Sequence, residues 1–228
     1  MPLDLARIKA LCFDVDGTLR DTDDHYVHQI TAALRPIRWL LPGRDAHRAA
    51  RWLVMRVEGP ANTLIGIPDR LGLDDELAAV YRLVHPGRDR PEKPMSIVPG
   101  ARRAVESLAP KYKLAVVTAR GGHDTYAFLR QHHLEEHVGP IATALTVHRT
   151  KPHPAPILWA AEQMEVEPRE CLMIGDTTID IRAGKAAGAQ TVGVLSGFGE
   201  RPELEKLGAD LVLPSVAELA PILLGHTD

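Results

Sequence analysis

Short apolar segments alternate with helical patterns along most of the sequence, and this alternation restricts the possible folds more than any other feature. The apolar segments have the length and composition of buried strands, and they lie at residues 8–15, 113–118, 170–175, 190–195 and 209–213. Between them, patterns typical of helices lie at residues 101–109, 124–132, 155–165, 179–187 and 216–223. Strands that alternate with helices form right-handed βαβ units, so the sequence predicts an α/β fold with a parallel sheet that helices cover on both faces.

The alternation is interrupted between the first and the second predicted strand. Residues 21–99 contain no convincing strand. Their patterns favour helices, at about 23–41, 44–57 and 74–84. Because a crossover between parallel strands needs only about a dozen residues, a connection of this length indicates an insertion. We therefore expect a core formed by residues 1–20 and 100–228 and an inserted helical subdomain, with its linkers, at residues 21–99.

The composition argues against several classes of protein. The net charge of −3 at pH 7 does not fit general nucleic-acid binding, which usually needs a strongly basic domain. No stretch approaches the roughly 18–20 apolar residues that span a bilayer, and the N-terminus lacks the pattern of a targeting segment. The two cysteines, Cys12 and Cys171, each lie in a predicted buried strand, which favours a reducing compartment over a disulfide framework. We therefore expect a cytoplasmic protein that binds neither nucleic acid nor membranes, and the sequence leaves its oligomeric state open.

Two carboxylates lie at the end of the first predicted strand. Asp14 and Asp16 belong to the segment DVDGT at residues 14–18, in which Gly17 allows the backbone to turn. In an open α/β sheet, ligands bind beyond the carboxyl ends of the strands, where one carboxylate can act as a nucleophile and the other as a proton donor and acceptor. The alternative is a structural role, in which the strand ends in an Asx turn.

A hydroxyl group and two glycines follow the second predicted strand. Thr118, Ala119 and Arg120 precede Gly121 and Gly122, and a helix is predicted to begin just beyond them. A hydroxyl and free backbone N–H groups at the start of a helix suit a phosphate group. The alternative is a helix N-cap with a glycine loop and no ligand.

A lysine begins the proline-containing segment KPHP at residues 151–154, before a predicted helix. The two prolines stiffen the loop and hold Lys151 in place. A fixed ammonium group can neutralise phosphate oxygens or the paired carboxylates. The alternative is a surface lysine in a proline turn.

A second pair of carboxylates follows the third predicted strand. Asp176 and Asp180 lie four residues apart in the segment GDTTID at residues 175–180, so both are expected on one face at the start of the next helix. Magnesium takes hard oxygen ligands and is often held by one or two carboxylates together with phosphate and water. The alternative is helix capping by Asp176, with Asp180 favourable in the first helical turn.

The four segments together are more specific than each alone, and in order and placement they resemble the haloacid dehalogenase-like superfamily. DVDGT resembles its nucleophile motif, VVTAR at residues 116–120 its threonine/serine motif, KPHP its lysine motif and GDTTID its acidic motif. PGARRAVESL at residues 99–108 resembles the return to the core in the phosphoglycolate phosphatase-like branch. The resemblance covers essentially the whole chain. It implies a Rossmann-like core with an α-helical cap inserted after the first motif.

The resemblance also implies a role for each matching residue. Asp14 would be the nucleophile and Asp16 the general acid and base, while Lys151 would balance charge. Thr118 would bind the transferring phosphoryl group, within an implied substrate-binding set of Thr118, Ala119, Arg120 and Lys151. The implied Mg²⁺ ligands are Asp14, the backbone carbonyl of Asp16 and Asp176, with Asp180 in support. Arg120 departs from many relatives, which carry a smaller or neutral polar residue here, so it either touches the substrate or lies on the surface.

From these roles we expect a Mg²⁺-dependent phosphatase that hydrolyses a small phosphorylated metabolite through an aspartyl-phosphate on Asp14. Two alternatives stay open. A phosphomutase would use the same motifs and return the phosphoryl group to a sugar, and a binding or regulatory module would keep the fold without turnover. The sequence does not identify the substrate.

Overall fold

The computed structural model describes residues 3–21, 31–40 and 95–225. The predicted helices at residues 44–57 and 74–84 lie outside the described residues, as does part of the helix predicted at 23–41. Residues 31–34 are helical, and a 3-10 helix follows at Arg35–Leu40. The helical subdomain at residues 21–99 and the domain boundaries therefore stay predictions.

Six strands within the described residues form one parallel sheet. They are β1 (Ala10–Phe13), β2 (Lys113–Val117), β3 (Ile141–Ala142), β4 (Cys171–Gly175), β5 (Gln190–Val194) and β6 (Leu211–Leu213). Their order is β3-β2-β1-β4-β5-β6, and every neighbouring pair is parallel. The sheet grows from β1 to β3 in one direction and from β4 to β6 in the other. In a doubly wound sheet of this kind, ligands bind where the direction reverses, at the carboxyl ends of β1 and β4.

Helices cover both faces of this sheet. They are α1 (Ala101–Leu108), α2 (Gly122–Gln131), α3 (Ala155–Gln163), α4 (Thr178–Ala187), α5 (Arg201–Lys206) and α6 (Leu219–Leu224). Alternate residues of a strand point to opposite faces, so Leu11 and Phe13 of β1 pack with α1, α2 and α6, whereas Ala10 and Cys12 pack with α3 and α4. The predicted Rossmann-like α/β fold is confirmed. Among the described helices, none has the length and apolar character needed to cross a bilayer.

The sequence patterns missed one strand, one α-helix and short 3-10 turns, and they misplaced some boundaries. β3 has only two residues, too few for a period to be visible. α5 is highly charged and buries only Leu204, so it has no apolar stripe. The helix predicted at residues 216–223 is divided into a 3-10 turn, Val216–Glu218, and α6. β6 begins at Leu211, two residues later than predicted.

The chain leaves the core and re-enters it at one place. Val98 N donates to Leu19 O at 2.8 Å, and Asp21 N donates to Ser96 O at 3.0 Å, so the outgoing and returning segments pair with each other. Leu19 and Val98 are both buried in the core. This pairing places both ends of the predicted insertion next to the DVDGT segment.

Candidate active site

Side chains from four separate segments meet at the carboxyl end of the sheet. Asp14 directly follows β1, Thr118 follows β2 and Asp176 follows β4. Lys151, from the loop before α3, donates a hydrogen bond to the Asp14 carboxylate. The four segments that the sequence analysis singled out are therefore brought to the edge where the strand order reverses.

Asp14 continues the pairing of β1 but directs its side chain at another segment. Its N–H donates to Ile174 O at 2.9 Å, which extends the contact with β4 by one residue. Asp14 Oδ1 accepts a hydrogen bond from Lys151 Nζ at 2.7 Å. The side chain therefore pairs with a cation and does not close an Asx turn.

The rest of the DVDGT segment forms a tight turn around one carbonyl group. Val15 O accepts hydrogen bonds from the N–H groups of Thr18, Leu19 and Arg20. Gly17 has a φ of 72°, and a side chain at this position would collide with the Asp176 carboxylate. The glycine thus allows the first motif to lie directly against the fourth.

Lys151 is buried between two carboxylates. Its Nζ lies 2.7 Å from Asp14 Oδ1 and 2.7 Å from Asp180 Oδ1, and its side chain is 4% exposed. Burial lowers the pKa of Lys151, but the two carboxylates outweigh this effect and the pKa is raised. Lys151 is therefore a fixed ammonium group, and the alternative of a surface lysine in a proline turn is wrong.

Asp180 caps the start of α4 together with the preceding Thr177. Asp180 Oδ2 accepts hydrogen bonds from Thr177 N at 3.0 Å and from Thr177 Oγ1 at 2.7 Å. Thr177 has an extended backbone and is the N-cap residue, so Asp176 lies before the helix and does not cap it. Capping by Asp176 is thus the wrong alternative, whereas Asp180 does occupy the first turn.

Asp176 keeps one oxygen without a partner. Its Oδ2 accepts a hydrogen bond from Phe198 N at 2.7 Å. Its Oδ1 is buried and has no hydrogen-bond partner in the described part of the chain. A buried carboxylate oxygen in this state is costly unless something else binds it.

Burial and mutual repulsion govern the ionisation of this cluster. Burial is the largest cause that raises the pKa of Asp14 to about 7; Lys151 acts against the rise, and the charges of Asp180 and Asp16 add to it. Burial also raises the pKa of Asp176 well above its usual range, and Asp180 and Asp14 act in the same direction. In each case burial is the main cause, and repulsion among carboxylates that share a single ammonium group adds to it.

The carboxylates present a donor set that fits a divalent cation. One oxygen from each of Asp14, Asp176 and Asp180 lies within 4.8 Å of the others. Hard oxygen donors in excess of the local positive charge, one of them without a partner, suit Mg²⁺. Asp180 is less available as a metal ligand than Asp176, because both of its carboxylate oxygens already accept hydrogen bonds.

The side chain of Asp16 faces a different set of partners. Arg120 Nε contacts Asp16 Oδ2, and Arg20 Nη1 lies 4.0 Å from Asp16 Oδ1. The sequence analysis left open whether Arg120 lies on the surface, and the structure shows it paired with Asp16. Arg20 was missed, although a basic residue so close to the DVDGT segment was a visible signal.

Thr118 lies buried at the end of β2. Its N–H donates to Ala142 O at 2.9 Å, and its Oγ1 accepts from Arg120 N at 3.1 Å. Ala119 is half-buried beside it. The N-cap of α2 is Gly121, which has no capping side chain, so Thr118 does not cap the helix.

Comparisons with known proteins give a consistent result. A family model described as haloacid dehalogenase-like hydrolase matches residues 62–194. The pyrophosphatase PpaX of Anoxybacillus flavithermus is 31% identical over 221 residues, which cover 95% of this chain and 97% of that protein. A phosphoglycolate phosphatase of Nitrosospira multiformis is 28% identical over 227 residues, covering 95% of this chain and 96% of the relative.

A solved structure has the same fold over almost the whole chain. The HAD family hydrolase from Deinococcus radiodurans, crystallised with bound phosphate and sodium, is 26% identical and superposes with a TM-score of 0.65. The match covers 96% of each chain. Together with the family model and the relatives, it confirms the resemblance predicted from the four motifs: the chain belongs to the haloacid dehalogenase-like hydrolase family.

Proposed function

We propose that this protein is a Mg²⁺-dependent phosphatase that hydrolyses a small phosphorylated metabolite through an aspartyl-phosphate on Asp14. The observation that carries the proposal is the buried Asp14 carboxylate at the end of β1, which pairs with Lys151 and clusters with Asp176, a residue with one unpartnered oxygen. Relatives named as a pyrophosphatase and a phosphoglycolate phosphatase support the same class of reaction.

Asp14 acts as the nucleophile in its ionised form. A carboxylate oxygen of Asp14 attacks phosphorus and forms the aspartyl-phosphate bond. The bond between phosphorus and the leaving oxygen breaks in the same step. Lys151 restrains the Asp14 side chain through its hydrogen bond to Oδ1 and reduces repulsion between the carboxylate and the incoming phosphate.

Asp16 moves the protons. It donates a proton to the leaving oxygen in the first step and takes one from the attacking water in the second, when the bond between Asp14 and phosphorus breaks and phosphate leaves. The side chain of Asp16 pairs with Arg120, whereas that of Asp14 pairs with Lys151, so the two carboxylates have different partners.

The phosphoryl oxygens bind at the end of β2. Thr118 supplies a hydroxyl group. Ala119 and Arg120 lie in the segment between Thr118 and the start of α2 at Gly122. Backbone N–H groups at such a helix start favour an anion. The ammonium group of Lys151 contributes positive charge that attracts the phosphoryl oxygens.

Asp14, Asp176 and the backbone carbonyl of Asp16 would hold the metal. When bound, Mg²⁺ would neutralise negative charge on Asp14 and on the phosphate group that Asp14 attacks. Asp180 supports the site by fixing Lys151 at 2.7 Å and by capping α4 through Thr177.

The test is a panel of small phosphate esters and anhydrides incubated with the pure protein, with Mg²⁺ and with excess chelator. Release of inorganic phosphate that depends on Mg²⁺ is the expected result. Isomerised phosphosugar without free phosphate would favour the phosphomutase, and the absence of any turnover would favour a binding module. Full activity in excess chelator would contradict the metal assignment.

A further inference from the structure

Two arginines flank the Asp16 carboxylate at the margin of the site. Arg120 Nε contacts Asp16 Oδ2, and Arg20 Nη1 lies 4.0 Å from Asp16 Oδ1. The side chains of Arg20 and Arg120 are 23% and 29% exposed, whereas that of Lys151 is 4% exposed. Both arginine side chains are therefore partly open to solvent, in contrast to the buried side chain of Lys151.

The backbone of each arginine is part of a turn that carries a reacting group. Arg20 N donates to Val15 O at 2.8 Å, within the turn that contains Asp16. Arg120 N donates to Thr118 Oγ1 at 3.1 Å. These bonds fix the backbone of each arginine relative to Asp16 and Thr118, so both side chains begin from defined positions beside the reacting groups.

The Asp16 carboxylate faces two cations. Arg120 Nη1 also lies 3.7 Å from Asp124 Oδ2, and the Asp124 side chain is 63% exposed, so solvent weakens this second interaction. Burial and the charge of Arg120 lower the pKa of Arg20, against the effects of Asp16 and Asp124, so the two cations repel each other. An additional anion beside them would reduce that repulsion.

We propose that Arg20 and Arg120 bind a second anionic group of the substrate and thereby select phosphate esters and anhydrides that carry one. The inference rests on the proposed function, in which Asp16 protonates the leaving oxygen. Atoms attached to that oxygen then lie next to the side chains that contact Asp16.

The second anionic group is a carboxylate or a phosphate only a few bonds from the leaving oxygen. A guanidinium group binds either anion through two parallel hydrogen bonds, which a lysine cannot do. Compact substrates with two anionic groups are therefore preferred over esters of neutral alcohols.

Pairs of substrates that differ in this charge provide the test. Phosphoglycolate is compared with its neutral amide, phosphoglycolamide, and pyrophosphate with p-nitrophenyl phosphate. Wild-type protein is expected to prefer the anionic member of at least one pair by about 10- to 100-fold in kcat/KM. A preference in the first pair identifies a carboxylate, and a preference in the second alone identifies a phosphate.

Variants assign the preference to the two arginines. Arg120→Gln and Arg20→Gln should each reduce the ratio of the two kcat/KM values several-fold, and the double variant should abolish it. Arg120→Lys, which keeps the charge, should retain part of the ratio. Arg130→Gln, at the exposed far end of α2, is the matched control and should leave the ratio unchanged. Thermal unfolding establishes that each variant is folded.

Two results would overturn the inference while leaving the proposed function intact. One is a wild-type protein that hydrolyses both members of each pair equally well. The other is an equal loss for both members in the arginine variants, because that loss would mean that the arginines only position Asp16. Failure of the wild-type protein to release phosphate from any substrate would instead contradict the proposed function itself.

Discussion

The two ends of the parallel sheet both carry charged side chains, and they differ in how these charges are compensated. At the amino ends of the strands, Lys9 Nζ lies 2.6 Å from Glu170 Oε1 and the lysine side chain is 63% exposed. Asp210, just before β6, accepts hydrogen bonds from Lys185 Nζ at 2.6 Å and Thr191 N at 2.8 Å. Glu170 and Asp210 thus each face their own cation.

The carboxyl ends of the same strands are organised differently. Asp14, Asp176 and Asp180 are buried around a single ammonium group, that of Lys151. Asp176 Oδ1 and Asp16 Oδ1 are buried without hydrogen-bond partners among the described residues. Such a cluster lowers stability until a ligand binds, so the comparison separates residues that stabilise the fold from residues retained for function.

Asp14→Asn should have the largest effect, a loss of turnover on the order of 10⁴-fold or more, because it removes the nucleophile. The matched control is Asp4→Asn, an exposed carboxylate at the amino end of the sheet, which should leave kcat unchanged. Initial rates on the best substrate of the panel measure both. Turnover of the Asp14 variant within about tenfold of the wild type would rule out the covalent mechanism.

Lys151→Met should destabilise the protein by about 3–5 kcal/mol at pH 8, because it leaves Asp14 and Asp180 buried without their counter-ion. Unfolding in urea measures the change. A double variant with Asp14→Asn should recover part of the loss, since one of the two uncompensated charges is then gone. If the double variant is no more stable than the single one, electrostatic compensation is not what Lys151 provides.

The stability of the metal-free protein should depend on pH through Asp14. Its pKa lies near 3.8 in the unfolded chain and is raised to about 7 in the fold. Between these values the native state binds more protons than the unfolded state, so this carboxyl group makes the free energy of unfolding fall as pH rises. Asn at position 14 lacks the effect. The free energy of unfolding of the variant, relative to that of the wild type, should therefore rise by up to about 1.4 kcal/mol per pH unit between about pH 4 and 7. Above about pH 7 the difference should stay constant.

Urea unfolding in excess chelator, at intervals of half a pH unit, gives this difference directly. A constant difference across the range would mean that Asp14 ionises in the fold as it does in the unfolded chain.

Asp176→Asn should stabilise the metal-free protein, whereas Asp210→Asn should destabilise it. Burial disfavours the Asp176 charge, and the amide oxygen of Asn can still accept from Phe198 N. Burial acts to raise the pKa of Asp210, but the interactions with Lys185 and Thr191 outweigh it and the pKa is lowered. Asp210→Asn removes the charge interaction with Lys185. Thermal unfolding in chelator should show opposite shifts, each about 2–4 °C per kcal/mol. Added Mg²⁺ should raise the midpoint of the wild type and not that of Asp176→Asn.

The strands and the site segments were predictable because their signals are local. β1 and β4 are continuous buried runs, and Asp14 and Asp176 directly follow them. Placing motifs at strand ends was enough to bring Asp14 and Asp176 together, since parallel strands end at one edge of a sheet.

The sequence analysis expected Lys151 to neutralise a carboxylate or a phosphate, but the individual pairs in the site were not predictable, because they depend on contacts between distant parts of the chain. Lys151 and Asp14 are 137 positions apart, and Arg120 and Asp16 are 104 apart. The identity of the N-cap, Thr177 in place of Asp176, depends on the backbone angles at one residue. Periodicity and composition carry no information on either.

Lys9→Met should have the smallest effect and gives the sharpest contrast with Lys151→Met. Both lysines lie within 2.7 Å of a carboxylate oxygen, so distance alone predicts equal consequences. The Lys9 side chain is exposed, so solvent and salt screen its pairing with Glu170. The backbone groups of Lys9 still bond to Glu170 O and Lys113 N in the variant. The unfolding midpoint should therefore shift by little more than the error of the measurement, in low and in high salt, with kcat unchanged. A loss comparable to that of Lys151→Met, or a drop in kcat, would mean that the amino end of the sheet also contributes to function, and the division between the two ends would fail.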